Sequence, residues 1–282
     1  MTLWAALIQP FVEFGFMRRA LAGVLALALG GGPIGTLLIL RRMSLMGDAL
    51  SHAVLPGVAL GFLVGGLSLP WMSLGGFLAG LAVALASGLV ARLTPLREDA
   101  SFAAFYLISL ALGVAIVSVK GSNIDLLHVL FGTILSIDDA ALILVASVAT
   151  LSLFALALLY RPLLLECFDP IFLRAQGERG GLIHAAFLAL VVLNLVAGFQ
   201  ALGTLMAVGL MMLPAVAARF WARQVWSLAA ASAGLALLAG YLGLLVSYHL
   251  ALPSGPAIVL AAGALHLLSI GVTRALAVTS LP

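Results

Sequence analysis

The sequence predicts an all-α integral membrane protein, a polytopic bundle of eight or nine membrane-spanning helices. Three observations carry this. Hydrophobic residues make up 64% of the 282 positions and charged residues only 8%, where soluble chains are about one-quarter charged. Mean hydropathy is +1.27. The apolar residues are gathered into stretches close to the roughly 20 that cross a hydrocarbon core, with most charges between them.

The stretches run over 20–40, 48–66, 71–91, 100–119, 138–159, 182–199, 201–218, 226–248 and 256–274. Only Phe199-Gln200-Ala201 parts the sixth from the seventh, and the seventh is short, so a broken or re-entrant span would leave eight. No long polar region interrupts them, which makes residues 1–282 one transmembrane domain. The opening MTLWAALIQPFVEF lacks a basic n-region and an A-x-A-like cleavage site. It reads as an interfacial segment of the mature chain, not a signal peptide.

Orientation follows from the basic residues. Arg41, Arg42, Arg92, Arg97, Arg161, Arg174, Arg179, Arg219, Arg223 and Arg274 follow odd-numbered stretches, ten of the thirteen basic side chains. Lys120 lies on the other side, and Arg18 and Arg19 precede the first span. The richer side is expected to be cytoplasmic, with the N-terminus outside and the C-terminus inside. The net charge of +3 comes without a basic run interleaved with aromatics, so nucleic acid is not the expected partner. Cys167 is the sole cysteine, which leaves no intrachain disulfide and no cysteine cluster for a metal.

The longest connection on the basic side is YRPLLLECFDPIFLRAQGERGG, residues 160–181. Pro162 and Pro170 are expected to break it and Gly177 to stop it, around an amphipathic stretch from Asp169 to Gln176. Two readings stay open on composition: a helix lying on the lipid surface, or one docking into a cytoplasmic partner.

Of the ten acids, nine fall in expected loops or at span edges. Asp48 alone is continuous with an apolar segment, in MSLMGDALSHAVLPGVALGF over 43–62. An acid at a helix centre costs about 2.5–3.5 kcal/mol on insertion scales. One reading makes Asp48 a cap at the helix N-terminus. The other follows from His52, four residues on, which shares its helix face. A carboxylate and an imidazole there can converge on one ion, with Ser51 adjacent. Two ligands are too few for a metal, but a homodimer with this helix at its axis would offer two Asp and two His. That set suits tetrahedral zinc, or manganese with added water. Pro56 frees a backbone carbonyl, and Gly57 and Gly61 form a G-x-x-x-G step that permits close helix packing. Asp125 and His128, three apart in GSNIDLLHVLFG, could touch an arriving ion from the outer side. His184 and His266 are single residues in apolar spans and read as packing.

No G-x-x-x-x-G-K-[ST] phosphate loop is present, so ATP hydrolysis would need another chain. There is also no G-x-S-x-G or H-E-x-x-H, and the chain is not expected to be an enzyme.

The segment RRMSLMGDALSHAVLPGVALGF strongly resembles the hallmark of the zinc/manganese/iron ABC-importer permeases, the ABC-3 family. NIDLLHVLFGTIL (123–135), DPIFLRAQG (169–177), LGTLMAVGLMMLPAVAARF (202–220) and LPSGPAIVL (252–260) match in order, so the resemblance covers almost the whole chain. It implies a permease homodimer in a bacterial inner membrane, bound to two cytoplasmic ATPase subunits and served by an extracytoplasmic metal-binding protein. It carries the family's metal-handling Asp and His onto Asp48 and His52. Asp169, Pro170, Phe172, Arg174 and Gly177 fall in the helix that couples to the ATPase. The fold is similar to the vitamin B12 and siderophore (type II) importers, whose ten spans less the first leave nine. No resident cofactor is implied; zinc or manganese is cargo. The first motif reads closest to manganese-type members and NIDLLHVLFG to zinc-associated ones. The expectation is zinc first, manganese next, iron possible. The rivals are a proton-coupled secondary metal transporter with Asp48 as proton carrier, and an importer of metal chelates.

Overall fold

A computed structural model describes residues 3–120, 137–169, 172–173 and 180–279. Among these there are helices and no strands, as expected where hydrocarbon offers backbone amides no other partner. Helices α1 (Leu3–Leu7) and α2 (Gln9–Glu13) precede the long α3 (Gly15–Leu40). The second apolar stretch forms two helices, α4 (Met46–Ala53) and α5 (Leu55–Gly65). Then come α6 (Leu69–Leu93), α7 (Glu98–Lys120), α8 (Asp139–Phe168), α9 (Gly180–Leu202), α10 (Thr204–Ala218), α11 (Val225–Leu250) and α12 (Ser254–Thr279).

Among the described residues eight helices are long and apolar enough to span a membrane, with α4 and α5 counted together as Met46–Gly65. The ninth stretch is α10, whose 15 residues reach only about 22 Å at the helical rise, short of a core roughly 30 Å thick. Gly203, at φ 91°, breaks the chain between α9 and α10. Other residues are strained at that angle. The eight-or-nine ambiguity thus resolves into eight long helices and one short, largely buried one.

Helices α3 and α9 form the centre. α3 packs on α8, α9, α10 and α11, and α9 on α3, α4, α6, α8 and α10. The apolar window of each is 72% buried, against 28% or less in α6, α7, α8 and α12. Lipid tails are as apolar as leucine, so close packing and interhelical hydrogen bonds hold such helices together. Small residues supply the first: a side chain on Gly35 would collide with the Met211 carbonyl, and one on Gly30 with Ala149 and Asn194. Asn194 supplies the second, its amide donating to Ser152 Oγ at 2.5 Å and to the Leu190 carbonyl at 2.9 Å. The G-x-x-x-G step is spent inside the subunit, since Gly57 and Gly61 lie against the Gly75 and Trp71 carbonyls of α6.

Two expectations are corrected. Pro162 does not break its helix, which continues to Phe168. Proline removes one backbone bond, and Leu163, 1% exposed, anchors the turn beyond it. The fifth span therefore runs over 139–168 and not 138–159. Glu98 opens α7 and Glu166 lies in the last turn of α8, at span edges as expected. At the far end of the bundle the opening segment folds onto α11: Tyr241 Oη donates to the Leu7 carbonyl at 2.8 Å and Phe11 stacks on the Tyr241 ring.

Overpacking of this kind costs about 1–3 kcal/mol. Gly57→Leu is expected to reduce the yield of monodisperse protein in size-exclusion chromatography and to lower its melting midpoint. Gly234→Ala, with nothing within 4 Å of the added carbon, leaves both unchanged.

Candidate metal-ion site

The turn that delivers Asp48 is built by the end of α3. Arg42 adopts φ 61°, the Met43 amide donates back to the Leu38 carbonyl at 2.9 Å and the Arg42 amide to Ile39 at 3.0 Å. This is a Schellman closure with arginine where glycine is usual. It fixes the direction in which α4 leaves. Gly47 then lets α4 lie against α10, where an added carbon would sit 3.1 Å from the Met212 methyl.

Met46, Gly47, Leu50, Ser51 and Ala53 are buried, while Leu45, Asp48 and His52 are exposed. The acid and the histidine therefore share one face, as their spacing requires. Asp48 does not cap the helix: α4 has no side-chain cap bond, and it is Ser51 Oγ that bonds the Asp48 carbonyl, at 2.6 Å. Among the described residues neither the Asp48 carboxylate nor the His52 imidazole has a hydrogen-bond or ion-pair partner. Both are free to take a cation, and no group of three or more His, Cys, Asp or Glu gathers as a ligand set among those residues.

Pro56 has no N–H for the His52 carbonyl four residues earlier, and the helix breaks at Val54. The Val54 amide keeps its helical bond to the Leu50 carbonyl at 3.2 Å and also faces the His52 carbonyl. α7 crosses at this break: Ser109 Oγ donates to the Ala53 carbonyl at 2.7 Å, and a carbon on Gly113 would be 2.9 Å from Pro56 N. Between α4 and α7 lies a cleft of about 360 Å³ lined by Arg42, Asp48, Ala49, Glu98, Asp99 and Tyr106, among others. Asp48 thus opens into a cleft with two further carboxylates, at the end of the bundle where α7 begins.

Beside the cleft stands a charge network that sequence reasoning missed. Arg41, the last residue before the turn, donates from Nε to Cys167 Sγ at 3.1 Å and from Nη1 to His184 Nδ1 at 2.9 Å. Its guanidinium carbon lies 4.3 Å from the centre of the Phe187 ring, a stacking worth about 2 kcal/mol when desolvated. His184 Nε2 meets Glu98 Oε1 at 2.7 Å, and Arg92 pairs with Glu166 at 3.7 Å. His184 is therefore a polar bridge and not the packing residue its apolar surroundings suggested. Arginine only donates, so Nδ1 accepts and the proton sits on Nε2, toward Glu98. The available signal was weak: two arginines, two acids and a histidine near the ends of five spans, each unremarkable alone.

Of the expected coupling residues, Asp169 Oδ1 accepts from the Phe172 amide at 2.9 Å, Phe172 is exposed, and Leu173 is fully buried. Pro170, Arg174 and Gly177, like Asp125 and His128, lie outside the described residues.

The family model described as the ABC 3 transport family matches residues 13–273. A manganese import system permease protein of Streptococcus parasanguinis is 36% identical over 262 residues, covering 93% of this chain and 92% of that one. The solved structure of PsaBC from Streptococcus pneumoniae in complex with Fab superposes with a TM-score of 0.81 at 32% identity, over 95% of each chain. An inward-facing conformation of a metal-chelate type ABC transporter gives 0.72 at 16% identity, over 93% of this chain and 87% of that one. That second likeness is one of fold. A family model that matches over most of the length settles the kinship: the chain belongs to the ABC 3 transport family.

Proposed function

We propose that this chain is the membrane permease of an ATP-driven manganese importer, in which Asp48 and His52 hold the ion in transit. The observation that carries this is the unpartnered pair itself. An embedded acid without a partner is costly in a membrane protein and marks an ion pathway far more readily than a packing site. Leu45, Asp48 and His52 form an exposed face on an otherwise well-packed helix, which suits a second copy of the chain across a two-fold axis. Two subunits would then supply two carboxylates and two imidazoles. Binding through so few protein ligands, completed by water, leaves the ion able to depart.

The sequence motifs divide between manganese and zinc, with zinc expected first. Manganese is preferred here for two reasons. The Streptococcus parasanguinis relative is named for manganese import, and Asp99 and Tyr106 bring further oxygen atoms to the otherwise mostly apolar cleft of Asp48. Oxygen-rich, water-completed sites suit manganese better than tetrahedral zinc. Zinc is the competing cargo in the test.

The chain has no phosphate loop, so ATP is hydrolysed on partner subunits, two per dimer, and an extracytoplasmic binding protein delivers the ion. The basic end of the bundle, with Arg41 and Arg92, is assigned to the cytoplasm, leaving the N-terminus outside and the C-terminus inside. The segment beginning at Asp169 would seat in the ATPase, with exposed Phe172 as its apolar contact.

Asp48→Ala and His52→Ala should each abolish manganese-54 uptake by proteoliposomes containing the full complex, while the ATPase still copurifies. Normal accumulation in either variant would sink the site assignment. Uptake by the permease alone under a pH gradient would favour the proton-coupled rival, and faster zinc uptake would overturn the metal assignment. Separately, Phe172→Asp is expected to cut ATPase copurification about tenfold, as loss of an aromatic anchor does at interfaces.

A further inference from the structure

Arg41 stands where three parts of the machine meet. It closes α3, and the Schellman turn behind it leads directly into α4, with Asp48 seven residues on. Its Nε reaches Cys167, next to the last residue of α8. Its Nη1 reaches His184 in the first turns of α9, and its face covers Phe187 one turn further. α8 and α9 are the helices that enter and leave the 160–181 connection. One guanidinium thus grips both ends of that connection from the root of the ion-bearing helix.

The grip extends to the second wall of the Asp48 cleft. His184 takes the Arg41 hydrogen bond on Nδ1 and faces Glu98 with Nε2. Glu98 opens α7, the helix that lines the cleft opposite α4 and holds the Ala53 carbonyl through Ser109. Arg92 of α6 pairs with Glu166, one residue before Cys167. The two ends of the connection are also held close: a carbon added at Gly180 would approach the Glu166 carboxylate to 2.8 Å.

We infer that Arg41 is a positioning residue for energy coupling. Through Cys167 and His184 it ties both ends of the 160–181 connection to α4, and through His184 and Glu98 to α7. A displacement of the connection by the ATPase is thereby delivered to the two walls of the cleft that holds Asp48. This rests on reading the chain as an ABC permease with that connection as its coupling element. Lysine cannot replace Arg41, because an ammonium has no planar fork to engage sulfur, imidazole and ring together.

The test uses the complex with its ATPase and two readouts. The first is manganese-54 imported per ATP hydrolysed in proteoliposomes. Arg41→Ala and Arg41→Lys are expected to lower this ratio about tenfold, within the range of residues that couple sites through others, while ATP hydrolysis and manganese binding persist. His184→Leu should match them, whereas His184→Gln, which keeps one acceptor and one donor, retains the wild-type ratio. The second readout needs no cargo: maleimide labelling of Ser44→Cys, which is exposed and lines the cleft, counted above the labelling of Cys167 in the parent chain, with and without vanadate-trapped nucleotide. Trapping should change the labelling rate, and Arg41→Ala should abolish that change. Wild-type ratios in both Arg41→Ala and His184→Leu, or an undiminished labelling response in Arg41→Ala, would overturn the inference. If Arg41→Ala does not assemble, the His184→Leu and His184→Gln pair decides it on both readouts. Nucleotide-dependent labelling without manganese uptake would count against the cargo, not against the coupling role.

Discussion

A backbone carbonyl in hydrocarbon must find its partner within the protein, and at His52 that requirement cannot be met in the usual way. Pro56 has no N–H to offer, so the helix ends and restarts at Val54. Neighbours then have to secure the junction, and α7 does so with Ser109 on the Ala53 carbonyl and Gly113 against Leu55 and Pro56. Because α7 lies there, it also forms the second wall of the Asp48 cleft. The position of the acid relative to α7 follows from one missing donor.

Stability is organised around the same economy of polar groups. The central helices α3 and α9 meet their neighbours through glycine and alanine, with Asn194 and Ser152 joined inside. Such a core leaves few side-chain polar atoms in need of water. Enclosed ionisable groups gather at one end, where Arg41, Arg92, Glu98, Glu166 and His184 face one another across five helices. Asp48 and His52 stand apart from that pattern. Their side chains are exposed and have no partner among the described residues, although the structured network is close by. A site meant to accept and release a cation has reason to stay out of permanent ion pairs.

Much of the fold was legible in the sequence. The nine apolar stretches correspond to the nine apolar segments observed, because span length is set by bilayer thickness and not by packing detail. The shared face of Asp48 and His52 followed from helical spacing alone. The misreadings have a common cause. Proline removes a donor, which predicts a break at Pro162, yet a long helix anchored by buried Leu163 tolerates one lost bond. His184 was read as packing because its sequence neighbours are apolar. Its partners Arg41 and Glu98 lie 143 and 86 positions away, and no local pattern reports them.

The sequence by itself determined the membrane class, the side carrying most of the basic residues, the family motifs and the pairing of an acid with a histidine on one face. Each of these rests on composition or on spacing along a single helix. Only the tertiary structure decided that the pair has no partner among the described residues, that Asp48 opens into a cleft with Glu98 and Asp99, and that Arg41 joins Cys167 to His184. Those facts depend on which helix ends converge. Convergence is fixed by packing among six or more helices, and a one-dimensional pattern of apolar residues carries no record of which faces meet.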